Sequence, residues 1–118
     1  MSPLPYTPVV RAGPWLIVSG QVGLREGSLV PGGVRAEAVQ ALANLAALLG
    51  DNGASLADVA KTTVFMTDMA DFAAMNEVYA EAFGGRFPAR SAVAVGALPM
   101  GACFEVEAWA YCPGALPE

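Results

Sequence analysis

Apolar residues recur along this chain with two clean periods, and these divide it into helices and strands. From Val34 to Leu49, Val34, Ala38, Ala41, Leu42, Leu45, Leu48 and Leu49 form one stripe, with Arg35, Glu37, Gln40 and Asn44 facing away. That is an amphipathic helix, stopped by Gly50-Asp51-Asn52-Gly53. A second helix is predicted over Phe72–Phe83, capped by Asp71, with Phe72, Met75, Tyr79, Ala82 and Phe83 buried. Asn76 falls on that same stripe; a buried amide needs partners, so it is read as a structural anchor for a loop backbone.

Strands are predicted at Val9-Val10-Arg11 and Trp15–Val18, joined tightly through Ala12-Gly13-Pro14, and again at Val59–Thr67, Ala92–Val95 and Cys103–Tyr111. Gly20, after the second strand, permits a bulge or a close approach of backbone to ligand. Val22–Gly33 is a glycine-rich, hairpin-like excursion, and Ser55-Leu56-Ala57-Asp58 a capped single turn. Met1–Pro8, with three prolines, should be extended or irregular. In the last strand, Phe104, Val106, Ala108 and Ala110 share a core face. Cys103, Glu105, Glu107, Trp109 and Tyr111 share the other, which suits neither solvent nor core; a cleft or subunit interface accounts for it.

Composition points the same way. The 118 residues form a single domain, 1–118, that is 55% hydrophobic and only 14% charged. So few charges cover a small monomer poorly, which favours a homo-oligomer. The net charge of −5, with six scattered basic residues, argues against nucleic acid as a partner. With no histidine, Ser-His-Asp and Cys-His catalysis and histidine-bound metals are excluded. Cys103 and Cys112 match no zinc or redox spacing, so no metal site is expected. No apolar run of about 18 residues and no signal-peptide pattern is visible, so a cytoplasmic protein with free thiols, away from membranes, is expected.

The segment Phe87-Pro88-Ala89-Arg90-Ser91 carries the candidate chemistry. Pro88 restricts itself and Phe87, delivering Arg90 with little freedom to the mouth of a strand. A forked, permanently charged guanidinium suits a carboxylate or phosphate, although spacing alone equally allows an internal ion pair. If Ala92–Val95 and the last strand form an antiparallel hairpin through Gly96–Gly101, Ala92 faces Glu105 and Arg90 lies diagonal to it. Such an arrangement makes a pocket for a small anion.

Pro5-Tyr6, Val18-Ser19-Gly20-Gln21, Gly53 to Val59, Lys61 to Phe65, Asn76-Glu77-Val78-Tyr79, Phe87 to Ser91 and the Glu105-Val106-Glu107-Ala108 strand together resemble the RidA/YjgF family over nearly the whole chain. The resemblance implies an α+β, chorismate-mutase-like fold, with a mixed sheet, two helices on one face, and a homotrimer with clefts between subunits. It implies hydrolysis of 2-imino and 2-enamino acids, such as 2-iminopropanoate and 2-iminobutanoate, to 2-oxo acids and ammonia without a cofactor. The family's carboxylate-binding arginine falls on Arg90, its water-positioning glutamate on Glu105, its closing ring on Tyr6 and its cleft-lining glycine on Gly20. Ala92 lies in the substrate site where many members carry a cysteine, so a reactive thiol is missing there. Few residues precede Pro5-Tyr6 compared with most members, which bears on the first edge strand and on Tyr6.

On chemical grounds Arg90 would fix the carboxylate of an imino acid and Glu105 would handle the proton of the attacking water. Two other readings compete: a trimeric 2-oxo-acid-binding or chaperone-like protein without turnover, and a ribonuclease, which the acidic charge and absent histidine disfavour. Light scattering at micromolar concentration is expected to give three times the chain mass; a monomer mass would remove the inter-subunit cleft.

Overall fold

The computed structural model describes residues 4–113. Five strands form one sheet in the order β1-β2-β7-β5-β6. They are β1 (Val9–Ala12), β2 (Trp15–Val22), β5 (Val59–Met66), β6 (Ala89–Ala94) and β7 (Phe104–Tyr111). A separate hairpin, β3 (Leu24–Arg25) with β4 (Ser28–Leu29), occupies the glycine-rich excursion. The helices are α1 (Gly33–Asp51) and α2 (Phe72–Phe83).

Both helices cover one face of the sheet. Their buried residues Ala38, Ala41, Leu42, Leu45, Leu49, Met75, Tyr79 and Phe83 pack on Leu16, Val18, Val64, Met66, Phe104, Val106, Ala108 and Ala110. The alternation of β7 holds as read: Phe104, Val106, Ala108 and Ala110 are fully buried. Across the sheet, Trp109 and Tyr111 remain 44% and 48% exposed and meet Trp15 edge-on, with ring centroids 6.0 and 5.1 Å apart. Among the described residues no helix packs over that face. Among the described residues no helix is long and apolar enough to cross a membrane.

The expected hairpin between Ala92–Val95 and the last strand does not form. β6 pairs parallel with β5, Arg90 beside Thr62 and Ala92 beside Val64. β7 instead lies antiparallel between β5 and β2, placing Glu105 opposite Phe65 and Val22. The physical reason is burial. β5 is buried at Val59, Thr62, Val64 and Met66 and fills the place between β7 and β6, whereas the more exposed β6 suits an edge. A parallel pair needs a crossover, and α2 supplies it. The connection after β6 contains a one-turn helix, Pro99–Gly101, with Met100 and Gly101 at φ 63° and 71°. It carries the chain past β5 instead of folding it back.

Three local expectations also change. Glu37, expected to face away, is only 5% exposed and accepts a hydrogen bond from the Cys103 N–H at 2.8 Å. Its helical position borders Ala38 and Ala41, so it tips into the seam where β7 begins. Burial, a hydrogen bond to Glu37 and the Glu37 charge push the Cys103 thiol up to about 11. Asp71 occupies the N-cap position of α2 as expected, but its side chain makes no cap bond; the capping bond belongs to the one-turn helix Met69–Asp71 just before it, where the Asp68 carboxylate accepts from Ala70 N–H at 2.9 Å. Asn76 bonds a side chain rather than a loop backbone, as described below. Ser55 and Asp58, by contrast, form the reciprocal capping pair that their spacing predicts.

Glu37→Ala leaves the part-buried Cys103 N–H without its acceptor. A loss of about 1–3 kcal/mol in urea unfolding is expected, and less than half of that for Glu37→Gln, whose amide oxygen still accepts. Equal losses would mean that the carboxylate charge, not the bond, holds this seam.

Candidate active site

Arg90 is the second residue of β6, and its parallel pairing beside the buried Thr62 turns its side chain onto α2. Nη1 donates to Asn76 Oδ1 at 2.8 Å. The guanidinium lies over two rings, 4.8 Å from the centroid of Tyr79 and 5.5 Å from that of Phe72. Among the described residues no carboxylate pairs with Arg90; the one ion pair is Arg35 with Glu77, an exposed contact between the helices. The internal ion pair that spacing alone allows is therefore absent there. Arg90 borders a cavity of 330 Å³ together with Asn76, Tyr79, Ala80, Phe87 and Pro88.

Glu105 belongs to another cavity, of 530 Å³, which Tyr6, Gly20, Asn44, Met100 and Glu107 also line. No cation lines it. Burial first, and the nearby Glu107 charge second, raise the Glu105 carboxyl above the ordinary carboxylate range. The bulge expected at Gly20 is present: pairing of β2 with β7 shifts register between Val18 and Gln21. A Cβ at Gly20 would lie 2.8 Å from Glu105 Cδ and closer still to its carboxyl oxygen. Glycine here is what gives the carboxylate its room. Asn44 braces the same wall, donating to the carbonyls of Val22 and Leu24 at 3.2 and 2.9 Å.

The structure thus places Tyr6, Gly20 and Glu105 together and Arg90 apart from them. Arg90 projects from the helix-covered face, Glu105 from the open face, with β5 between their strands. Ala92 packs beside the core on the Arg90 side and lines neither cavity. Sequence reasoning did not assign Asn76 and Tyr79 to Arg90, nor Met100 to the Glu105 cavity. The spacing Asn76–Tyr79 marks one helix face, and recognising α2 as a crossover to β6 is the signal that connects it to Arg90. Among the described residues no group of three or more Cys, Asp or Glu side chains is placed to hold a metal ion.

A family model described as Endoribonuclease L-PSP matches residues 2–112, nearly the whole chain. The chain belongs to the RidA/YjgF family. Within it, the 2-iminobutanoate/2-iminopropanoate deaminase of Mus musculus is 48% identical over 106 residues, covering 88% of this chain and 78% of that protein. The crystal structure of RidA from an Antarctic Psychrobacter superposes with a TM-score of 0.88 at 37% identity, covering 94% of this chain and 91% of that one. E. coli TdcF, crystallised with bound serine, superposes at 0.87 with 36% identity, covering 93% and 90%. The α+β architecture of this RidA/YjgF chain, a mixed sheet with two helices on one face, is that of these structures.

In Gly20→Ala the added methyl meets the far end of the Glu105 side chain, which can swing toward water. Unfolding free energy is expected to change by less than about 1 kcal/mol. The Glu105 carboxyl should then titrate at lower pH, because the burial that raises it is relieved. Side-chain ¹³C NMR titration checks this; an unchanged Glu105 titration would show that Gly20 does not set the carboxylate's position.

Proposed function

We propose that this RidA/YjgF protein hydrolyses 2-imino acids, and the enamines that tautomerise to them, giving 2-oxo acids and ammonia. The observation that carries the reading is the half-buried guanidinium of Arg90, held by Asn76 yet unpaired by any carboxylate among the described residues. A small carboxylate would supply the missing charge. The deaminase name of a mouse relative and the serine bound to TdcF support a substrate of amino-acid size.

Because Arg90 and Glu105 occupy separate cavities on opposite faces, the reaction is assigned to a cleft where one copy's Arg90 meets another copy's Glu105, Gly20 and Tyr6. A homotrimer with three such clefts is the assembly we infer. Arg90 would grip the substrate carboxylate through the guanidinium edge that Asn76 leaves free. Glu105, ionised, would accept a proton from water as that water attacks the C=N carbon, forming a carbinolamine. Returning the proton to the amine nitrogen makes ammonia the leaving group; as the C–N bond breaks, the carbinolamine hydroxyl gives its proton back to Glu105 and the carbonyl forms. Tyr6, 59% exposed in the protomer, would close over the bound acid. No cofactor is invoked in these steps. A ribonuclease would draw on clustered Lys and Arg, whereas this chain has six such residues against eleven acidic ones, and no histidine.

The test generates 2-iminobutanoate in place with an amino-acid oxidase and traps survivors with semicarbazide. Wild type should lower trapping in proportion to enzyme added. Arg90→Ala should lose about a hundredfold in rate, and Arg90→Lys should recover little because a point charge lacks the fork. Glu105→Gln should bind pyruvate but turn over slowly. Arg90→Ala and Glu105→Gln subunits, refolded together in equal amounts, should regain about a quarter of wild-type activity, since random assembly makes that share of clefts intact. No regain would place both residues' work within one copy. Pyruvate binding without turnover of any aliphatic imine would make the protein a 2-oxo-acid binder. A general base works above its pKa, so activity should fall on acidification at a higher pH than an ordinary carboxylate gives. Glu107→Gln removes one cause of that rise and should move the acid limb to lower pH.

A further inference from the structure

Beneath Arg90 lies a buried polar contact that the reaction scheme does not use. Thr62 Oγ1 and Tyr79 Oη are 2.6 Å apart, with Thr62 fully buried and Tyr79 only 4% exposed. Thr62 is the direct neighbour of Arg90 in the parallel ladder, and Tyr79 is the ring on which its guanidinium rests. We propose that the Thr62–Tyr79 hydrogen bond is a positioning device for Arg90, fixing the tyrosine ring as a floor so that the guanidinium presents one set edge to a substrate carboxylate. This deepens the hydrolase reading and rests on it for the identity of the substrate.

The geometry ties three points of one rigid body. β5 supplies Thr62, α2 supplies Tyr79 and Asn76, and β6 supplies Arg90. A tyrosine ring anchored only at its Cβ can tilt; one bonded at its hydroxyl to the strand beside Arg90 cannot. Tyr79 also packs against Phe83, centroids 4.7 Å apart, a second contact that limits tilting of the ring. Asn76, one helical turn before Tyr79, takes one terminal nitrogen, so rotation about the guanidinium axis is blocked from a second direction. Burial raises the Tyr79 hydroxyl above its usual range, so the ring stays neutral beside the cation and leaves its charge for the ligand. An arginine held this way loses little freedom on binding.

A purely structural bond would also be buried, and the two roles separate experimentally. Thr62 lines neither cavity, so Thr62→Val can reach substrate only through Tyr79 or through the ladder to Arg90, and Tyr79→Phe, which leaves the ladder alone, separates the two. In the full-length assembled protein, Thr62→Val and Tyr79→Phe should each weaken pyruvate binding and raise KM for 2-iminobutanoate by about fivefold, with kcat within about twofold. The double variant should be no worse than either single one, since both remove the same bond. Thr62→Ser, which keeps the hydroxyl, should restore the wild-type KM. Independently of activity, ¹⁵N NMR of the Arg90 side chain should show slow rotation about Nε–Cζ in wild type and in Thr62→Ser, and faster rotation in Thr62→Val and Tyr79→Phe. Should wild type turn over no imine at all, this rotation rate still decides the positioning role. Unchanged rotation, or lowered unfolding midpoints with KM and pyruvate affinity intact, would reduce the bond to core packing and overturn the proposal.

Discussion

The parallel pairing of Ala89–Ala94 with Val59–Met66 turns Arg90 onto α2 and away from Glu105. Parallel neighbours cannot be joined by a tight turn, so the chain must cross over, and the helix that makes the crossing becomes the wall against which the arginine lies. Asn76, Tyr79 and Phe72 surround the guanidinium because α2 is bound to pack there. The same pairing leaves β7 free to lie between β5 and β2. Glu105 and Gly20 consequently face each other across the β2 bulge.

Charge is separated by this arrangement. Among the described residues, one cavity holds a cation with no carboxylate and the other two carboxylates with no cation. Neither is balanced by itself. Keeping Glu105 and Glu107 on one half-buried face is unfavourable in isolation, as the raised Glu105 carboxyl records. The open face bearing them also exposes Trp109 and Tyr111, apolar area of a kind that isolated small domains seldom leave uncovered.

Most of the architecture was legible because its signals are periodic and local. The leucine stripe of α1, the alternation of β7, the Ser55–Asp58 cap and the Gly20 bulge are each fixed within a few neighbouring residues. What was not legible was partnership between strands. The segment from Ala92 to Tyr111 reads as a hairpin, because two strands and a short glycine-containing loop are all that the local sequence shows. Only the competing burial of β5, thirty residues earlier, decides otherwise. Asn76 was assigned a partner of the wrong kind for the same reason: its proximity to Arg90 exists only after the crossover. Glu37 shows the limit of helical periodicity, since a position at the rim of a stripe is buried or exposed according to what packs beside it. The family resemblance supplied Tyr6, Gly20, Arg90 and Glu105 as a set, and the folded chain divides that set into one and three.

Cys103 sits two residues before Glu105, with its thiol pushed up to about 11 by burial and by Glu37. Burial first, and the carboxylate of Glu37 second, thus keep this sulfur protonated at neutral pH. Since the thiolate is the nucleophile and the thiol is not, Cys103 is a free cysteine that thiol-directed reagents should find slow to modify.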